Sequence, residues 1–144
     1  MDRVDTDMSL ETAKGIVELA MDSTSPYICF EYTGGDPTVN MPVIRYMIEY
    51  AKELNKDNKK FVEHSLVTNM TYMNEENAEY IMDNDVWVCT SLDGPAELHD
   101  WNRGWRKGGS AYNQVLHWIQ YFNRRYKERG KDPELYHVDA LMTT

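Results

Sequence analysis

Phe30-Glu31-Tyr32-Thr33-Gly34-Gly35-Asp36-Pro37 is the stretch that decides the fold, because a strand-like run, Tyr27 to Tyr32, ends there in two glycines and a carboxylate. A second stretch, Cys89-Thr90-Ser91-Leu92-Asp93-Gly94-Pro95, repeats the plan after Val86 to Thr90. Parallel sheets present ligands at the carboxyl ends of their strands, where loops carry free backbone groups and the following helices point positive N-termini at the same opening. The two stretches therefore read as two lips of one ligand site.

The segments between them supply the rest of an alternating order. Ser9 is placed to cap a helix running to about Met21, with Leu10, Ala13, Val17 and Ala20 at helical spacing and Glu11 in its first turn. Pro42 suits the first turn of a second helix, striped by Ile44, Met47, Ala51 and Leu54, whose charged end enters a turn at Asn55 to Lys60. A strand follows over about Val62 to Thr68, then a helix capped by Asn74 and running through Met82. Tyr112, Val115, Ile119, Phe122 and Tyr126 mark a long fourth helix closed by Gly130 and Pro133, and Leu135 to Met142 is a last strand. This α-β-α-β-α-β-α-β order predicts an α/β fold with a parallel sheet of about four strands and right-handed crossovers. It begins on a helix and stops on a strand, so the free edges predict association through edge strands, as an edge-paired or swapped homodimer.

Composition bounds the function. At 144 residues, 42% hydrophobic, the chain suits one domain, 1–144, with a real core. Its 15 Lys and Arg against 24 Asp and Glu give a net charge of -9, which repels a nucleic-acid backbone. No run approaches the ~18 apolar residues of a membrane span, and Met1 to Asp7 lacks a signal peptide's basic-then-apolar order, so a cytoplasmic location is expected and no membrane partner. Cys29 and Cys89 sit in separate apolar runs and read as buried free thiols rather than a disulfide or a metal clip.

Alternation along the strands places Cys29, Glu31 and Thr33, then Ser65, Val67 and Asn69, then Cys89 and Ser91, then His137 and Asp139 on one face. A parallel sheet covered on both faces buries Val, Ile and Leu on each. A polar face therefore predicts either a half-barrel lumen that admits substrate or a packed core whose polar groups satisfy one another.

The motifs at the strand ends resemble the radical S-adenosylmethionine superfamily. Phe30-x-x-x-Gly34-Gly35-Asp36-Pro37 is similar to that family's Gly-Gly-Glu-Pro strand end, and Thr68-Asn69 matches its T-N. Ser91-Leu92-Asp93-Gly94-Pro95 with His99-Asp100 and Arg103 is similar to the S-x-D-G-P…H-D…R segment of anaerobic sulfatase maturases and related peptide-modifying members. The resemblance covers nearly the whole chain and implies a fragment of a partial (β/α)6 TIM-like barrel, from its second to its fifth strand. It further implies S-adenosylmethionine and a [4Fe-4S] cluster as cofactors, a peptide or protein as substrate, and hydrogen abstraction by a 5′-deoxyadenosyl radical. By the same resemblance the carbonyls near Gly34 and Gly35, with Asp36 and Pro37, hold the methionine amino group. Ser91 then binds ribose or carboxylate, and Arg103 offers a planar fork for a carboxylate. Asn69 and Asp93 complete the cofactor set, while Thr33, Glu31, His137 and Asp139 are weaker substrate candidates. His99 and Asp100 are expected to pin their loop.

Three departures qualify the resemblance. Asp36 is one methylene shorter than the usual Glu, and Thr33 stands where many maturases have Gln. The C-x-x-x-C-x-x-C loop, whose thiolates hold three irons, is absent from these 144 residues. They are accordingly expected to be inactive and to bind no cofactor tightly, as an internal piece of a longer enzyme with its cluster loop upstream. A cluster-free binding module or pseudoenzyme that recognises a peptide is the alternative. A phosphate-binding barrel is disfavoured, because no P-loop Lys-Ser/Thr follows the glycines. His64 and His117, the Tyr112 to Tyr126 stripe, and the basic residues Arg124, Arg125, Lys127 and Arg129 are expected to be structural.

Overall fold

The computed structural model describes residues 7–57, 59–104 and 108–142. Most of the N-terminal stretch read for a signal peptide, and residue 58 of the 55–60 turn, lie outside them. Helix α1, Leu10–Asp22, starts where Ser9 Oγ accepts the Thr12 N–H at 3.1 Å, and β1 follows at Tyr27–Tyr32. A short 3-10 turn, Pro37–Asn40, leads into α2 at Met41–Leu54, and β2 spans Phe61–Val67. Helix α3, Glu75–Asp83, is capped by Asn74 as the sequence predicts, its Oδ1 accepting the Asn77 N–H at 2.8 Å. Then come β3 at Trp87–Leu92, α4 at Ala96–Asn102, α5 at Ala111–Glu128 and β4 at Val138–Met142.

The four strands lie in the order β1-β2-β3-β4, every neighbouring pair parallel. A sequential order with crossovers of one hand places the helices on one side of the sheet. Burial bears this out: Phe30, Tyr32, His64, Leu66, Val88 and Thr90 are buried on the helix side. On the other side Cys29 and Glu31 are exposed, and Ser65, Val67, Cys89 and Ser91 are only partly covered. The polar set predicted from alternation is therefore an open face, not a self-satisfied core. The thiols also differ from expectation: Cys29 is exposed and Cys89 half-buried, because both point to that uncovered side.

Adjacent helices are joined outside the sheet by polar clasps. Tyr50 OH donates to Glu18 at 2.7 Å, tying α2 to α1, and Arg45 of α2 reaches Glu76 at 2.8 Å while its guanidinium lies 4.4 Å from the Tyr80 ring centre. Glu79 of α3 accepts from Tyr121 OH, Arg125 and Arg129 of α5 and the residue after it, at 2.6–2.9 Å. Those donors hold the Glu79 carboxyl at about 2, the Arg125 bond being the largest influence. Arg125 and Arg129 are thus half of a clasp rather than a purely solvated helix end. The aromatic stripe of α5 is core, with Val115, Trp118, Phe122 and Tyr126 buried. His64 is a satisfied core residue between Phe30 and Tyr32, its Nδ1 2.8 Å from Tyr32 OH, and burial pushes it down to about 4.

Two boundaries depart from the sequence reading. The last strand begins at Val138 rather than Leu135, because Asp132 organises a turn in which its carbonyl accepts from Leu135 and Tyr136 and its Oδ1 from Glu134. Helix α4 interrupts the expected passage from the second lip to the long helix.

Candidate functional site

Both lips emerge at the carboxyl ends of parallel strands, on either side of β2. At the first, Gly34 has φ 149°, a conformation that L side chains rarely adopt, and the space a Cβ would fill at Gly34 or Gly35 is open for 4 Å. The chain then turns at Asp36, whose Oδ1 accepts the Thr38 N–H at 2.9 Å and the Thr38 hydroxyl, capping the short helical turn that Pro37 begins. Its Oδ2 reaches across to the end of β2, accepting the Thr68 hydroxyl at 2.9 Å and the Asn69 N–H at 3.0 Å. Thr68 N–H donates in turn to the Cys89 carbonyl at 3.0 Å, so the end of β2 is joined to both flanking strands.

Asn69, at the exposed tip, uses its Oδ1 for the Thr71 N–H at 2.9 Å. Met70 follows, fully buried with φ 60° and its N–H on Thr68 Oγ1 at 2.9 Å. A bulky residue in the left-handed region costs energy, and such residues gather where surrounding structure over-determines a functional loop.

The second lip closes on itself. Asp93 is 5% exposed and accepts from Arg103 Nε at 2.8 Å, while its own N–H donates to His99 Nδ1 at 3.2 Å. His99 is 1% exposed, and burial, the largest influence, lowers its pKa. A neutral ring accepting at Nδ1 carries its proton on Nε2. Asp100 Oδ1 accepts the Tyr112 N–H at 2.8 Å at the start of α5. His99 and Asp100 therefore pin the loop, as their sequence context predicts. Arg103 is held through Nε by Asp93, and its side chain is partly exposed.

The weaker candidates divide. Register aligns Glu31 with Ser65 and Ser65 with Trp87, and aligns Val67 with Cys89 and Cys89 with Asp139, so these groups form two rows across the open face. Asp139 lies two residues, ~7 Å, below the Ser91 row. His137 contacts Asp139 at 3.2 Å but precedes β4, about 13 Å below Ser91 by strand rise, and lines a groove of about 540 Å3 at the opposite end with Trp87 and Tyr136. Sequence reasoning missed Trp87 as an open-face residue; strict alternation back from Ser91 would have found it. Thr33, Gly34, Gly35, Asp36 and Pro37 line a second cavity of about 710 Å3 along the β1 edge, with Glu31, Val43 and Met47.

Two suspected cofactors meet different fates. The first lip offers open glycine backbone, and Asn69, Ser91 and Arg103 bring donors, a set whose chemistry fits an amino acid and a ribose. An iron-sulfur cluster does not fit. Cys29 and Cys89 lie on β1 and β3 with β2 between, four residues out of register along it, which is roughly 10 Å across and 13 Å along. Among the described residues no group of three or more His, Cys, Asp or Glu is placed to hold a metal ion.

The comparisons agree with the strand-end motifs. The family model described as a 4Fe-4S single cluster domain matches residues 2–117. A cysteine-type anaerobic sulfatase-maturating enzyme of Clostridium novyi is 32% identical over 118 residues, 81% of this chain and 31% of that protein. A serine-type anaerobic sulfatase-maturating enzyme of Bacteroides thetaiotaomicron is 31% identical over 108 residues, covering 74% of this chain and 25% of that one. The solved structure of native anSMEcpe with bound AdoMet and Kp18Cys peptide superposes with a TM-score of 0.76 at 25% identity, over 94% of this chain and 34% of that one. The chain thus spans about a third of the length of the relatives it matches. With the parallel sheet, the glycine loop and the Ser91 to Arg103 segment in one frame, the chain belongs to the 4Fe-4S single cluster domain family and is similar to part of the anaerobic sulfatase-maturating enzymes.

Proposed function

We propose that these residues form the cofactor-facing core of a radical S-adenosylmethionine enzyme that modifies a peptide or protein by hydrogen abstraction. The observation that carries this reading is the placement of Gly34-Gly35, Asn69 and Ser91 at the carboxyl ends of three consecutive parallel strands, ahead of an open polar face. When bound and reductively cleaved, S-adenosylmethionine supplies the 5′-deoxyadenosyl radical; the chemistry is the cofactor's and the protein contributes positioning and exclusion of water. In this reading the Gly34 and Gly35 carbonyls accept from the amino group, Ser91 and Asn69 hydrogen-bond the ribose or carboxylate, and the Arg103 fork pairs with a carboxylate. Glu31, Thr33 and Asp139 line the substrate side of the open face, and His137 contributes least. Asp36, Pro37 and Asp93 shape the two loops. Peptide-bound relatives support a peptide substrate.

The test is anaerobic preparation of the protein with whatever chain its gene adds to these residues, assayed for iron, sulfide and release of 5′-deoxyadenosine. A cluster and cofactor cleavage are expected, and their absence sinks the enzyme reading. The 144 residues alone are expected to be inactive and to bind S-adenosylmethionine weakly; low-micromolar binding by calorimetry contradicts that. The two separated cysteines favour one alternative, a cluster-free peptide-binding module, which predicts peptide binding without iron. The free edges of β1 and β4 support self-association through strand pairing, for which a strictly monomeric species by light scattering at high concentration is the contrary result. Charge and hydropathy support a cytoplasmic protein without nucleic-acid or membrane partners, and among the described residues no helix is long and apolar enough to cross a membrane.

A further inference from the structure

We infer that Asp36 is a latch that positions the Gly34-Gly35 carbonyls rather than a contact to the bound amino group, and that Thr68 is the other half of the latch. The inference rests on the reading of the first lip as a cofactor wall. Each carboxylate oxygen of Asp36 already has its acceptor sites turned inward. Oδ1 takes the Thr38 N–H and hydroxyl, and Oδ2 takes the Thr68 hydroxyl at 2.9 Å and the Asn69 N–H at 3.0 Å. A carboxylate offers about four lone-pair sites, so this set comes near to exhausting it.

The partners are themselves fixed. Thr38 and Thr68 are 4% and 3% exposed, Thr68 Oγ1 also accepts the Met70 N–H at 2.9 Å, and Thr68 N–H is bonded to β3 through the Cys89 carbonyl. Charge-assisted bonds to two buried hydroxyls and two backbone amides are worth more than neutral ones, and they hold the left-handed Met70 turn in place. With Asp36 pinned to β2, the two glycine peptide units immediately before it are set relative to Asn69. Aspartate suits this geometry because its short side chain brings the loop backbone against β2. A glutamate, one methylene longer, would push the glycines outward. Asp36 and Thr68 are therefore positioning residues, and affinity for the amino group resides in backbone carbonyls that no side-chain change removes directly.

The experiment is amide hydrogen exchange by NMR on the 144-residue chain and four variants: Asp36→Asn, Thr68→Val, Thr68→Ser and the Asp36→Asn/Thr68→Val double. Exchange at the Thr38 and Asn69 amides is expected to rise about tenfold in Asp36→Asn and in Thr68→Val, with Leu66 in β2 unchanged and Thr68→Ser within about twofold of wild type. The double variant is expected to exchange no faster than Asp36→Asn, since both changes open one latch. Unchanged exchange in Asp36→Asn, or fully multiplicative effects in the double, overturns the latch. A second arm titrates S-adenosylmethionine at millimolar concentration and follows the Gly34 and Gly35 amides. Equal weakening by Asp36→Asn and Thr68→Val is expected, whereas weakening by Asp36→Asn alone would make the carboxylate a direct contact and overturn the inference. No shift at either glycine in the wild type speaks against the cofactor reading of this lip, and the exchange arm then decides the latch by itself.

Discussion

The two lips use the same residue types but tie them down in opposite ways. Asp36 reaches out of its own loop to the neighbouring strand, bonding the Thr68 hydroxyl and Asn69 N–H. Asp93 stays within its segment, bonding Arg103 ten residues on while its N–H sits on His99. The first lip is therefore as rigid as the contact between β1 and β2. The second is as rigid as the short α4 that carries His99. Beyond its strand end, one lip is tied to the sheet and the other to a helical plug, so the second is expected to loosen without the sheet opening.

The largest test of that contrast is His99→Ala. Removing a 1% exposed ring leaves a cavity and strands the Asp93 N–H, a combined loss of about 3 kcal/mol in a urea titration. Exchange at the Asp93 amide is expected to accelerate while exchange at Asn69 does not. Acceleration at both would show that the lips are one cooperative unit. Acid should sharpen the same contrast more gently. Because the folded His99 pKa is lowered, its contribution to stability is fully present above the ordinary imidazole value of ~6.5 and is lost as the pH falls through the folded value. Protonation at Nδ1 replaces an acceptor by a donor, so as the pH falls below ~6.5 the Asp93 amide is expected to lose protection after correction for intrinsic rates. The first lip, which has no histidine, is expected to lose no more protection than the Leu66 amide does. His64, pushed to about 4, adds a global loss of stability over the same range, which the Leu66 amide reports separately.

That dependence on α4 marks where the sequence stopped being legible. Helical starts with a side-chain cap could be read directly: Ser9 and Asn74 each bond the backbone N–H three residues on. Alternation placed Cys29, Glu31, Ser65, Cys89 and Ser91 on the open face, because a strand's period of two survives any tertiary context. Helix α4 has seven residues and follows Pro95, which supplies no side-chain cap bond, so nothing local separates it from a loop. The Glu79 clasp joins residues 46 and 50 positions apart, beyond any periodicity, and its arginines looked like a solvated end. The Asp36 and Thr68 bond has the same character. Both residues stood out individually, yet their contact depends on β1 and β2 being parallel in one register, which no spacing encodes.

The glycines give smaller effects that separate the lips again. Gly94 has φ 69° and a Cβ there would meet Leu98 Cδ2 of α4 at 3.4 Å, so Gly94→Ala is expected to cost about 1–2 kcal/mol in thermal or urea unfolding. Gly35 is the opposite case. A Cβ added there would meet nothing within 4 Å and its φ is not in the left-handed range, so Gly35→Ala is expected to leave the unfolding midpoint within about 0.5 kcal/mol of wild type. A glycine that the fold does not need is one that an approaching ligand can need. Loss of S-adenosylmethionine-induced shifts at Gly34 with unchanged stability would then assign Gly35 to close approach of the ligand. Unchanged shifts would show that the opening tolerates a Cβ at Gly35 and leave Gly34, with φ 149°, as the glycine the first lip requires.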